Sequence, residues 1–160
     1  LSQAATHYFV RHAEKDQSNP TNRNPELSLK GQQRAKNLAL LLSQTGIKRI
    51  YSTAYIRTEM TAKPLADLLG ITVTHYDPRT LETLIEQLKK ENENSLIVGH
   101  SNTTTEAVSL LTNQSMNGLS EKDYGDVFQV IFEGGQADVI HLKLPPKGNE
   151  KTPIQDIKTK

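Results

Sequence analysis

The sequence predicts an α/β fold, a three-layer α/β/α sandwich with a mostly parallel sheet and an antiparallel C-terminal hairpin. Three observations predict it. Short β-prone runs alternate with amphipathic helical patterns as far as Leu111. Glycines close two of the helical patterns, at Gly46 and Gly70. A Gly134-Gly135 pair then separates two final β runs, a hairpin signal. The length of 160 residues fits a single domain large enough for its own core.

Each element has its own reason. Thr6–Val10 is apolar and β-prone and reads as a buried strand. A polar loop from Asp16 to Glu26 follows, and Ser28 is a suitable N-cap for the next helix. In that helix Ala35, Leu38, Ala39 and Leu42 recur at helical spacing. Arg49–Ser52 is a second strand. Arg57–Leu69 has a helical pattern, but Pro64 lacks a backbone N–H, which predicts a kink or a restart there. Ile71–His75 is a third strand. Leu81, Leu84, Ile85 and Leu88 mark another amphipathic helix. Leu96–Gly99 is a fourth strand. A helix over Asn102–Leu111 follows, with Asn102 as its N-cap and Ala107, Val108 and Leu111 inward. Val127–Phe132 and Ala137–Leu144 form the hairpin. Residues 1–144 make the domain. Residues 145–160 read as a polar tail, with Ile154 and Ile157 its only large apolar side chains.

Composition narrows the chemistry. Lys and Arg number 19 against 18 Asp and Glu, a net charge of +1, so no global field draws the protein to nucleic acid or an anionic membrane. An anion site must be local. The absence of Cys excludes a disulfide scaffold, a thiolate zinc site and a catalytic cysteine. The longest aliphatic run, Leu38–Leu42, is far short of the ~20 residues of a membrane span. The chain opens on Leu1 and holds no Cys, which leans toward an exported, processed protein, with a cytoplasmic one as the alternative. The composition does not set the oligomeric state.

Ligands of open parallel sheets bind at the carboxyl ends of the strands. There the sequence places Arg11 and His12 after the first strand. Ser52, Thr53 and, one turn on, Arg57 follow the second, and His100, Ser101 and Asn102 follow the fourth. Two guanidiniums match phosphate or carboxylate oxygens, and a neutral imidazole is a nucleophile near pH 7. The N-terminus of the helix near Asn102 favours an anion at the same place. The set suits phosphoryl transfer without a metal, since no carboxylate or third His stands at ligand spacing. His7, His75 and His141 read as structural or surface residues. Ser52 is a candidate donor to phosphate, and Glu14 and Lys15 a candidate rim pair. Asp123, Tyr124 and Asp126 lie on a loop that could reach the site.

These residues carry a resemblance. Val10-Arg11-His12-Ala13-Glu14-Lys15 resembles the Arg-His-Gly motif of the histidine phosphatase superfamily (phosphoglycerate mutase-like), with Ala13 for the usual Gly, as in short bacterial members. Ser28-Leu29-Lys30-Gly31-Gln32, the Ser52-to-Ala62 segment around Arg57, and Val98-Gly99-His100-Ser101-Asn102 are similar to further motifs of that family, in the same order. The resemblance runs from Tyr8 to Leu144. It implies a phosphatase in which His12 attacks phosphorus, while Arg11, Arg57 and His100 hold the non-bridging oxygens, aided by Ser101 and Asn102. No metal or cofactor is implied. Glu82 is the expected general acid, with Asp77, or no acid at all, as alternatives. Tyr76–Asn94 has room for one helix and no cap, so the site is expected to be open and not that of a mutase.

The expected activity is therefore phosphomonoester hydrolysis through a phosphohistidine on His12. The expected partner is a phosphorylated small molecule or a phosphoprotein. A phosphohistidine protein phosphatase and a phosphate-binding regulatory module without turnover are the alternatives. Because His12 must be neutral to attack, its protonation is expected to depress the rate on the acid side, above pH 4.

Overall fold

The computed structural model describes residues 3–145. The elements in chain order are β1 (Ala5–Arg11), α1 (Leu29–Leu42), β2 (Arg49–Ser52), α2 (Ile56–Leu69), β3 (Val73–His75), α3 (Leu81–Glu91), β4 (Ser95–Gly99), α4 (Ser101–Thr112), β5 (Asp126–Glu133) and β6 (Gln136–Lys143). They form one six-stranded sheet in the order β3-β2-β4-β1-β5-β6. The first four strands run parallel, and β5 and β6 are antiparallel. The tail expected over 145–160 lies, beyond Pro145, outside the described residues.

The period-2 alternation of strand side chains splits the core into two layers. Tyr8, Val10, Ile50, Leu96 and Val98 point to one face and pack on Leu38, Leu42, Ala62 and Leu65 of α1 and α2. Phe9, Tyr51, Ile97, Phe128 and Val130 point to the other and pack on Leu84, Ile85, Leu88, Val108 and Leu111 of α3 and α4. These are the sandwich's outer layers. α3 spends its apolar stripe on the sheet, and no further helix between β3 and β4 covers the strand ends.

Local signals account for most boundaries. Ser28 caps α1, its hydroxyl accepting from Gly31 N at 3.1 Å. Gly70 ends α2 at φ 66°, a conformation that costs glycine little. Gly134 and Gly135 take φ 59° and 80°, as the tight turn between β5 and β6 requires. Of the kink or restart expected at Pro64, the restart does not occur: α2 runs as one helix through it. Its buried residues Ala62, Leu65 and Ala66 straddle the proline and hold both halves against the same core, overriding the lost hydrogen bond. The N-cap of α4 is His100, not Asn102, so the helix begins at Ser101.

Candidate active site

Sheet pairing builds the floor of the site. β1 and β4 are parallel neighbours with Arg11 opposite Gly99. His12 N–H continues the ladder to Gly99 O at 2.9 Å. The next residue on each chain is therefore a histidine, and the two rings lie 5.7 Å apart. β2 flanks β4 with Ser52 opposite Val98, which brings Thr53 beside His100. A Cβ at Gly99 would meet Tyr76 Oη at 2.7 Å and Thr103 Oγ1 at 3.0 Å, so glycine leaves room for these hydroxyls beneath the site. The cavity at these strand ends has a volume of about 410 Å³. Arg11, His12, Arg57, His100, Ser101 and Asn102 all line it. So do Lys15, Tyr55, Arg79 and Glu121.

His12 is fixed in one tautomer. Its Nδ1 lies 2.8 Å from the Ala13 carbonyl, which can only accept, so Nδ1 carries the hydrogen and Nε2 keeps its lone pair. The ring is 4% exposed. Burial first, then the charges of Arg11 and Arg57, lower its pKa to about 3. The acid limb expected above pH 4 is thus displaced: in the free protein His12 stays neutral down to about 3.

His100 is held by a directed chain of hydroxyls. Thr58 Oγ1 has one hydrogen and faces the carbonyls of Thr53 and Tyr55, so it accepts from Thr53 Oγ1 at 2.9 Å. Thr53 has then spent its hydrogen and accepts from His100 Nε2 at 2.9 Å. Burial and the two arginines lower the pKa of His100 to about 4.

The arginines differ. Arg11 Nη1 donates to the carbonyls of Ser120, Glu121 and Asp123 at 3.3, 3.2 and 2.8 Å, and its guanidinium lies 4.2 Å from the centre of the Tyr124 ring. The loop between α4 and β5 is thereby tied to the strand end. Arg57 lies 4.7 Å from the centre of the Tyr55 ring, and its buried Nε and Nη1 have no hydrogen-bond partner among the described residues. Burial disfavours its charged form, and Arg11 adds repulsion. Such a cation is incomplete without an anion.

Other expectations are corrected here. Glu82, on the first turn of α3, is exposed and does not line the cavity. Asp77 lies outside it too, bonded to Arg79 at 3.0 and 3.1 Å. Ser52 is fully buried and donates to Thr53 O, which leaves nothing for phosphate. Glu14 and Lys15 are not a pair: Glu14 accepts from Arg34 at 2.6 and 3.1 Å. Asp126 faces away to His141 and Lys143. Sequence reasoning placed Thr53 at the strand end but passed over Tyr55 and Glu121. Tyr55 stands just before the helix that carries Arg57, a signal available in the sequence. Glu121 had none, because only the fold of a long loop delivers it. Among the described residues no group of three His, Cys, Asp or Glu stands together as a metal site would require.

Residues 7–83, which include Arg11, His12 and Arg57, match the family model of the histidine phosphatase superfamily (branch 1). Over those residues the chain is similar to the histidine phosphatase superfamily. Its enzyme class is that of a phosphatase. Solved phosphatase structures share its fold at low sequence identity. The tungstate complex of the protein histidine phosphatase SixA superposes with a TM-score of 0.69 at 14% identity, covering 88% of this chain and 97% of that one. The alpha-ribazole phosphatase of Shigella flexneri gives 0.72 at 14% identity, covering 86% and 96%. A mycobacterial glucosyl-3-phosphoglycerate phosphatase gives 0.72 at 14%, covering 89% and 100%. No curated protein matches the chain in sequence.

Proposed function

We propose that this protein hydrolyses phosphomonoesters through a phosphohistidine on His12, without a metal. The observation that carries the reading is the buried face of Arg57, without a hydrogen-bond partner among the described residues, in one cavity with a histidine whose Nε2 is bare and uncharged. A phosphate dianion completes Arg57 and meets Arg11, Ser101 and Asn102 at the first turn of α4. Nε2 of His12 attacks phosphorus, the bond to the leaving oxygen breaks, and water later releases phosphate from the nitrogen. Arg11 and Arg57 supply the charge that a metal supplies elsewhere. His100 has given its Nε2 hydrogen to Thr53. Its ring then stands in the cavity wall beside the dianion, as one of the groups that position it.

The experiment is phosphate release from p-nitrophenyl phosphate and a panel of esters, with EDTA present, for wild type and His12→Ala. Activity that survives the chelator and disappears in the variant is expected. Full activity in His12→Ala would overturn the reading.

A phosphohistidine-bearing protein is the second substrate class. It is favoured by the uncovered mouth of the cavity and by the likeness of fold to a protein histidine phosphatase. Faster release from a phosphorylated histidine-containing domain than from small esters would select it. Tight phosphate binding with no turnover of either class would instead identify a binding module.

A further inference from the structure

We propose that Glu121 is the proton donor to the leaving oxygen, the role for which Asp77 and Glu82 lie outside the cavity; this rests on His12 as the nucleophile. Glu121 is the one carboxylate among the described residues that line the cavity. Its Oε2 lies 3.2 Å from Arg11 Nη2, and its Oε1 accepts from Ser101 Oγ at 2.9 Å. The carboxylate is therefore held by two of the groups assigned to phosphate. Arg11 also clamps the backbone on either side of Glu121 through Nη1. One guanidinium thus fixes both the phosphate position and the loop that presents the acid.

Depth decides which oxygen Glu121 can reach. Phosphoryl transfer proceeds in line, with the attacking atom and the leaving oxygen on opposite sides of phosphorus. His12 is at the floor, 4% exposed, so the leaving oxygen faces the mouth. The Glu121 side chain is at the mouth, 77% exposed. In the first step the Nε2–P bond forms and the P–O bond breaks, and Glu121, open to solvent at the mouth, takes up a solvent proton as phosphate claims Arg11 and Ser101 and passes it to the departing oxygen. In the second step water attacks phosphorus, the P–N bond breaks, and the water's proton returns to the Glu121 carboxylate. Protons and electron pairs balance over the cycle.

The test measures kcat/KM for wild type, Glu121→Gln and Glu121→Asp across phosphate esters of rising leaving-group pKa. General acids contribute roughly 10²–10⁴-fold, so Glu121→Gln is expected to lose about a hundredfold or more on an alkyl phosphate. The loss on p-nitrophenyl phosphate, whose leaving group departs without help, is expected to be at least about tenfold smaller. Glu121→Asp should recover part of the alkyl activity. An equal loss on every ester, or no loss on any, overturns the proposal. Tighter binding of inorganic phosphate by Glu121→Gln, with faster turnover of all esters, would make the carboxylate a plug on the phosphate site and also overturn it. The His12→Ala control separates the two readings: if that variant is inactive, a flat leaving-group profile counts against Glu121 alone. Wild type that turns over no ester overturns both.

Discussion

The floor and the mouth of the cavity are built in opposite ways. Arg11, His12 and Thr53 on the floor are at most 5% exposed, and sheet pairing and directed hydrogen bonds hold them. At the mouth, the side chains of Glu121 and Arg79 are 77% and 87% exposed and sit on connecting segments. A floor of this kind can fix a tautomer and exclude water from a nucleophile, because its groups cannot move independently. A mouth of this kind can choose among leaving groups and substrates without disturbing the reaction centre. The difference teaches that loss of all activity belongs to the floor and selectivity belongs to the mouth.

Substitutions break or sharpen that contrast. The largest effect is expected from His12→Ala, a loss of roughly 10³-fold or more in kcat/KM on every ester, the scale on which enzymes lose a nucleophile. Substantial residual activity would place the chemistry elsewhere. Arg57→Ala should cost about 10²–10³-fold, the worth of one charge-stabilising donor, with the loss equal for good and poor leaving groups. A loss confined to poor leaving groups would move Arg57 to the mouth's role. The Glu121→Gln series is the converse case. At the small end, Glu82→Gln should change kcat/KM by less than about twofold, because its carboxylate does not line the cavity. A hundredfold loss would return it to the site.

Acid denaturation reports on the same buried layer. His7 is held to a pKa of about 4 and His12 to about 3, chiefly by burial, whereas both sit near 6.5 in the unfolded chain. Below pH 6.5 the unfolded chain binds protons that the folded one refuses, so stability falls as pH falls. Each of the two groups contributes a slope of roughly 1.4 kcal/mol per pH unit until its folded value is reached. Urea denaturation between pH 7 and pH 4.5 checks this. Replacing His7, which lies at the far end of β1 from the cavity, should remove its share of the slope. An unchanged slope would show that His7 is not buried neutral.

The chain by itself determined the alternation of strands and helices, the hairpin, the cap at Ser28 and the placing of Arg11, His12, Arg57 and His100 at the strand ends. All of these rest on local periodicity, on turn chemistry and on the rule that parallel sheets bind ligands at their carboxyl ends. Only the tertiary structure decided the rest. Pro64 stays inside a helix because core packing on both sides outweighs one missing hydrogen bond. Ser52 turns inward because its hydroxyl finds the Thr53 carbonyl. Glu82 points to solvent because α3 commits Leu81, Leu84, Ile85 and Leu88 to the sheet. Glu121 reaches the cavity because Arg11, 110 residues earlier in the chain, gathers the carbonyls of its loop. Contacts at that separation leave no periodic trace in a sequence. They arise when a buried guanidinium must satisfy its donors, and the nearest acceptors on the folded chain decide which side chains come with them.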